Sequence, residues 1–254
     1  MKRFVIKISY DGTNFFGWQI QKQGRTVQQE IEKILSEIAK QEVKIIGSGR
    51  TDSGVHALGQ YAHFDFPVQM NTQQIHSALN MKLPKDIIIK KVFIVEDDFH
   101  ARYDARKRIY KYYLTRNVSP FNRFHKTFLP KTKLRENVIK SCLPFFMGEH
   151  DFTSFSKFNP DVPNHICEIK KFNLEVDGDD LIFTISATRF LHNMVRRIIG
   201  TILNISNSNL DPKIIDELFT AKTPEHKLIE TAPAKGLYLF DVKYPIGLNE
   251  KITK

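Results

Sequence analysis

The chain is poor in the residues that carry several common chemistries. It has two cysteines in 254 residues, Cys142 and Cys167, far apart and with no paired Cys/His spacing around them. A four-ligand zinc site is thereby excluded, and two reduced, buried thiols are expected rather than a disulfide. No apolar run approaches the roughly eighteen residues of a spanning helix. The opening MKRFVIKISYDG lacks the continuous apolar core of a signal peptide. A cytoplasmic protein without membrane association is the expectation. No low-complexity segment and no clear repeat stands out. Acid is the scarcer charge: 28 Asp and Glu against 38 Lys and Arg leave a net +10 at pH 7. That excess points to a polyanionic partner, nucleic acid first and an anionic membrane second.

What is present describes a globular protein, 41% hydrophobic and 26% charged, long enough for one large domain or two fused lobes. RFVIKISY alternates as a strand ending at Asp11-Gly12. Val27, Ile31, Ile34, Leu35 and Ile38 fall at helical spacing behind Thr26, with Gln29 placed for a capping box. EVKIIGSG reads as a strand and QYAHFDF as its return. Helices are expected over 72–81, 131–147 and 190–205, and strands in DIIIKKVFIVE, RIYKYYLTR and AKGLYLFDVKYP. ICEIKKFNLEVDGDDLIFTISATRF reads as a hairpin turning at Asp177-Gly178. The interspersed order predicts an α+β protein of two similar lobes, with TRNVSPFNRFH as the crossover.

The unusual stretch is GSGRTDSGVHALGQ, Gly47 to Gln60. Its glycines open backbone conformations closed to other residues, and Asp52 sits among Arg50, Thr51 and His56 in a loop between two strands. Rigid scaffolds present functional side chains on such loops. Asp52 is either a turn residue bonding its own backbone or a functional carboxylate. The next acid is Asp65, in the returning strand, which does not suit the paired carboxylates of glycoside hydrolysis. A lone carboxylate suits a nucleophile or a base. Arg50 is a salt-bridge partner, a phosphate clamp or a wedge into a nucleic-acid helix, and His56 most simply braces the turn.

RKRIYKYYL puts Arg108, Tyr110 and Tyr112 on one strand face and Lys107, Ile109 and Lys111 on the other. Rings and cations in that mixture meet stacked bases and phosphates, unless the tyrosines belong to the core. RFLHNMVRRIIG places Arg189, His192, Asn193, Arg196 and Arg197 opposite an apolar stripe, as a solvated basic face or an RNA-facing one. FHAR and DFTSFSK are polar-aromatic loops that pattern leaves unexplained.

GSGRTDSGVHALGQ closely resembles the signature of the TruA-type tRNA pseudouridine synthases. YDGTNFFGWQIQ, TVQQEIE, FHARYDARKRIYKYYL, GEHDFTSFSK, FLHNMVRRIIG and APAKGLYL resemble further blocks of that family in the same order, so the likeness covers nearly the whole chain. It implies cutting the C1′–N1 bond of a tRNA uridine and rejoining C1′ to C5, with no metal and no small-molecule cofactor. Asp52 would be the catalytic residue, attacking uracil C6 or ribose C1′ or removing the C2′ proton. Tyr110 would stack on the base and could accept the C5 proton. Arg196 would pair with the catalytic carboxylate, and Arg50 would help displace the target base. The implied fold has two α/β lobes with mixed, largely antiparallel sheets about a basic cleft, residues 1–105 carrying the Asp52 loop and 106–254 completing the site. The implied assembly is a homodimer gripping one tRNA, with uridines 38, 39 and 40 of the anticodon stem-loop as substrates. A catalytically silent RNA-binding protein and a nucleoside or glycoside hydrolase are the rival classes.

Overall fold

The computed structural model of the chain describes residues 1–130, 135–157, 159 and 162–245. Its contacts divide it into two compact units, Met1–Lys107 with the stretch from Tyr238 onward, and Arg108–Leu237. Both are α+β.

In the first unit, β1 (Lys2–Tyr10) lies antiparallel between β3 (His56–Phe66) and β4 (Ile87–Val95). The closing strand β10 (Leu237–Lys243) joins the far side of β3 in parallel, Tyr238 opposite His56 and Leu239 opposite Ala57. That pairing is why the chain's end groups with its beginning. The alternation read in β1 places Phe4, Ile6 and Ile8 in the core. Helix α1 (Val27–Ala39) starts where Thr26 Oγ1 accepts from Gln29 N, and it buries Val27, Ile31, Ile34 and Leu35. Helix α2 (Thr72–Lys82) carries a complete capping box between Asn71 and Gln74.

EVKIIGSG is not the full strand its composition suggests. Only Ile46–Gly47 pairs, as β2 against His63 and Ala62 of β3. The preceding amides are held by α1 instead: Val43 N donates to Ser36 Oγ at 2.9 Å and Ile45 N to Glu32 Oε1 at 2.9 Å. Side chains have taken the bonds a ladder would have used.

In the second unit, β5 (Lys107–Thr115), β9 (Asp180–Ala187), β8 (Ile166–Asp177) and β7 (Gly148–Asp151) follow one another as antiparallel neighbours. The short β6 (Thr127–Phe128) runs parallel to the end of β5. TRNVSPFNRFH therefore links β5 to β6 inside this unit and is not a crossover. The β8–β9 hairpin closes as expected, Asp177 opposite Asp180 with Gly178 at φ 58° in the turn. Of the helix expected over 131–147, residues 131–134 lie outside those described. The remainder is α3 (Glu136–Cys142) and a 3₁₀ turn, Leu143–Phe146, entered through Pro144. Helix α4 (Met194–Ser208) buries Met194, Val195, Ile198, Ile199 and Ile202 of the expected stripe, and Ile205 beyond it; Phe190 and Leu191 precede the helix and Leu203 is only half-buried. It begins later than expected because Asn193 stands at φ 61° and interrupts the helical backbone. Helix α5 (Ile214–Ala221) was not anticipated.

DFTSFSK finds its explanation here. Phe152 and Phe155 are fully buried and meet Phe146 and Phe219 edge to face, while Ser154 Oγ donates to Leu218 O at 2.6 Å. The motif is core. Both cysteines are buried and unpaired, and burial pushes the thiols up, Cys142 to about 12 and Cys167 to about 11. Such thiols are inert at neutral pH.

Candidate active site

The Asp52 loop spans the gap between β2 and β3, and residues 10–18 supply several of the bonds that shape it. Thr51, buried beside Asp52, is held at three points. Tyr10 Oη and Thr51 Oγ1 share a buried hydrogen bond of 2.7 Å. Trp18 N donates to Thr51 O at 3.1 Å. Gly17 packs over the same carbonyl so closely that a Cβ there would lie 2.5 Å from Thr51 O, and its φ of +93° is one that only glycine takes readily.

On the far side of Asp52, Phe15 O accepts from Gly54 N at 3.2 Å and from Ser53 Oγ at 3.2 Å. Asp52 O itself accepts from Val55 N at 3.1 Å, closing the turn. Gly54 supplies the φ of +75° that this turn requires. The entry to the loop is fixed by Gln60, whose side chain accepts from Ser48 Oγ at 2.5 Å and donates to Gly49 O at 2.8 Å.

The cradle has its own support. Arg25 sits with its guanidinium 4.3 Å from the Phe15 ring centroid and bonds both oxygens of Asp86, at 2.6 and 3.0 Å, and Glu30 at 2.5 Å. A bidentate carboxylate pairing fixes direction as well as distance. YDGTNFFGWQIQ is thus a second wall of the Asp52 loop, which the residues alone did not reveal.

His56 takes the bracing role. It is 1% exposed, its ring stacks on Tyr238 with centroids 4.6 Å apart, and its Nδ1 accepts from Gly12 N at 3.0 Å. Asp11 Oδ1 lies 3.1 Å from the same nitrogen, so the ring is held in place from the 11–12 turn as well as by Tyr238. Asp52 is half-buried and Arg50 is exposed. The loop presents both side chains from a backbone with little freedom to move.

Tyr110 and Arg196 stand in the second unit. Tyr110 on β5 is 8% exposed and meets Phe190 edge-on at 5.0 Å. Tyr112, its neighbour on the same face, is a core residue: its hydroxyl bonds Thr127 Oγ1 at 2.8 Å and Pro233 O at 2.9 Å, and burial pushes that hydroxyl well up. The basic group around α4 is not one solvated helix face. Arg189 and His192 precede the helix, Arg196 Nε donates to Ala232 O at 2.8 Å, and Arg197 donates to Pro224 O. Arg196 Nη1 also reaches Asn193 Oδ1 at 3.3 Å, so its guanidinium plane is oriented from two directions. FHAR, in the first unit, is a turn: Ala101 N donates to buried His63 Nδ1 at 3.1 Å and Ala101 O accepts from Tyr244 Oη at 2.8 Å.

Comparison with known proteins bears on the family of the chain. The sequence pattern of the family described as tRNA pseudouridine synthase matches residues 6–104 and 145–245. A protein of Exiguobacterium sp. named tRNA pseudouridine synthase A is 38% identical over 96% of this chain and 98% of its own. One of Bacillus cereus, tRNA pseudouridine synthase A 1, is 42% identical over 96% and 99%. One of Bacteroides thetaiotaomicron, tRNA pseudouridine synthase A, is 40% identical over 100% and 95%. A pattern spread over both units, with relatives this similar along nearly the whole length, leaves one assignment: the chain belongs to the tRNA pseudouridine synthase family, isomerases that convert uridine to pseudouridine in tRNA.

Proposed function

We propose that this enzyme isomerises uridines 38, 39 and 40 of the tRNA anticodon stem-loop, with Asp52 as the catalytic carboxylate. The observation that carries the assignment is the Asp52 loop itself, a half-buried acid whose flanking residues are bonded from Tyr10, Phe15 and Trp18. Catalysis at a sugar carbon or at uracil C6 needs the carboxylate aimed within a fraction of an ångström, and a surface turn Asp needs no such support. Each of the three routes, attack on C6, attack on C1′ or removal of the C2′ proton, requires an anionic oxygen in a fixed place.

Arg50, exposed on the same loop, is the residue proposed to help displace the target base, at a cost of a few kcal/mol in unstacking. Tyr110 is proposed to stack on the uracil and Arg196 to pair with the carboxylate, which would keep it ionised and oriented. The resemblance supports these roles, and a homodimer holding one tRNA across both subunits.

The test uses unmodified tRNA carrying tritium at uracil C5. Wild type should release tritium without releasing uracil, and Asp52→Asn should release none while binding tRNA as tightly as wild type or tighter. Free uracil in place of retained base would identify a hydrolase. Binding without either product would identify an RNA-binding protein. Wild-type turnover by Asp52→Asn would remove the carboxylate from the mechanism.

A further inference from the structure

Between Asp104 and Glu136 the chain has no acidic residue, and those 31 positions carry ten Lys and Arg, as many as the net charge of the whole protein. The middle of this stretch, the loop from β5 to β6, also exposes large apolar side chains. Val118 is 63% exposed and Phe124 45%, and Phe121, at 93%, is the most exposed large hydrophobic among the described residues.

The loop is not loose. Ser119 N donates to Asn122 Oδ1 at 3.1 Å, Phe121 N to Ser119 Oγ at 3.2 Å, and Asn122 Nδ2 to Asn117 O at 3.3 Å. His125 N and Lys126 N both donate to Asn122 O at 3.0 Å. Lys235 Nζ reaches Arg123 O at 2.9 Å, and Lys126 pairs with Asp180. Arg123 lies with its guanidinium 4.3 Å from the Phe124 ring centroid and, among the described residues, donates to Pro120 O. Its other N–H groups remain available, because a guanidinium has five donors. A compact loop built around its own hydrogen bonds is of the functional kind.

A fixed, almost wholly exposed aromatic ring has no solvation advantage, and it is beside a cation in a run without acids. Stacking on an unpaired base with a phosphate nearby satisfies both features at once. A second copy of the chain is the poorer occupant, since two such loops meeting across a two-fold axis would bring like charges together.

We propose that the β5–β6 loop, residues 116–126, is an RNA-contacting element in which Phe121 stacks on an unpaired base of bound tRNA and Arg123 meets an adjoining phosphate. The proposal rests on the tRNA reading above. It adds a contact made by a segment outside the residues that the family pattern matches, 6–104 and 145–245.

The experiment measures tRNA affinity over a series of salt concentrations for wild type, Phe121→Ala, Phe121→Trp and Arg123→Gln. Phe121→Ala should weaken binding about tenfold, the effect of one lost stack, with the salt slope unchanged. Phe121→Trp should bind like wild type. Arg123→Gln should weaken binding and lower the slope of log K against log salt by about 0.7 to 0.9, the release of one counterion. Both side chains are exposed, and a thermal melt verifies that each of the three variants is folded. Wild-type affinity in Phe121→Ala would overturn the proposal. So would a Phe121→Ala protein whose mass in solution falls to half that of wild type, which would make the loop a contact between copies. A wild-type protein that binds and converts tRNA while the variants match it refutes the loop alone. A wild type that fails to convert tRNA refutes the reading beneath it.

Discussion

Replacing Gly17 by Ala tests whether the wall around Asp52 serves catalysis. At φ +93° an alanine carries backbone strain of about 1 to 3 kcal/mol. Its Cβ would lie 2.5 Å from Thr51 O and 3.1 Å from the carbonyl carbon of Asp52. Neither atom belongs to a flexible side chain, so the clash is relieved only by backbone movement. Thr51 O must retreat to at least the 3.4 Å of ordinary contact. That movement lengthens the Trp18 N to Thr51 O bond, already 3.1 Å, whose loss costs about 1 kcal/mol more. An apparent Tm lower by several degrees follows. The residue displaced is the one before Asp52, and a shift of about 1 Å at a catalytic group costs on the order of 100-fold in rate. The assay is tritium release from saturating tRNA, paired with tRNA affinity, for Gly17→Ala and for Gly49→Ala. Gly49 belongs to the same loop, but a Cβ there meets nothing within 4 Å and its φ is not positive. Turnover should fall about 100-fold in Gly17→Ala, with affinity within a few-fold of wild type, and Gly49→Ala should fold as stably as wild type. Equal turnover in wild type and Gly17→Ala would refute the idea that the 10–18 segment positions Asp52.

Three further outcomes are expected. His63 is buried beside His100 and its pKa is pushed down to about 4, chiefly by burial, so the unfolded chain binds its proton first as pH falls. Stability contributed by neutral His63 is full above about pH 6.5 and is lost as pH falls toward 4; denaturant unfolding across that range should show the loss, and His63→Gln should flatten it. Tyr110→Phe keeps the ring and removes the hydroxyl, so turnover should fall more than tRNA affinity, and a loss in affinity alone would reduce Tyr110 to a platform. The affinity of the wild-type protein for tRNA should fall steeply with salt, with a slope of several units, and a slope near zero would remove the electrostatic basis of binding.

Much of the fold was legible because burial imposes a period on the sequence. The stripe of α4 and the alternation at the end of β1, from Ile6 to Tyr10, are direct consequences of one buried face. What pattern missed has physical causes of its own. Strands β2 and β6, at two residues each, are too short to show a period. The start of α4 depends on one left-handed residue, Asn193, which the flanking apolar spacing does not register. EVKIIGSG has strand composition, yet Ser36 and Glu32 claim its amides from a helix that precedes it. Propensity describes what a segment would do alone, and here a neighbouring element overrode it.

The site divides along the same line. The loop that carries Asp52 was legible because glycines around an acid, an arginine and a histidine are a local signal, and His56 followed as a brace because it lies in the same fourteen residues. The wall that fixes the loop was not legible. Its bonds join residues 41 apart in Tyr10–Thr51 and 38 apart in Phe15–Ser53, and no local pattern encodes such pairings. Gly12 shows the same logic at the level of shape. A Cβ there would sit 2.0 Å from Val55 O, so the glycine is required by the close approach of a loop more than forty positions away and not by its own turn. Residues 10–18 read in isolation are an unremarkable turn after a strand. Against the Asp52 loop, the same tyrosine, glycines and tryptophan become the reason that the carboxylate has a fixed backbone, and this is why their substitution is expected to lower turnover before it lowers tRNA binding.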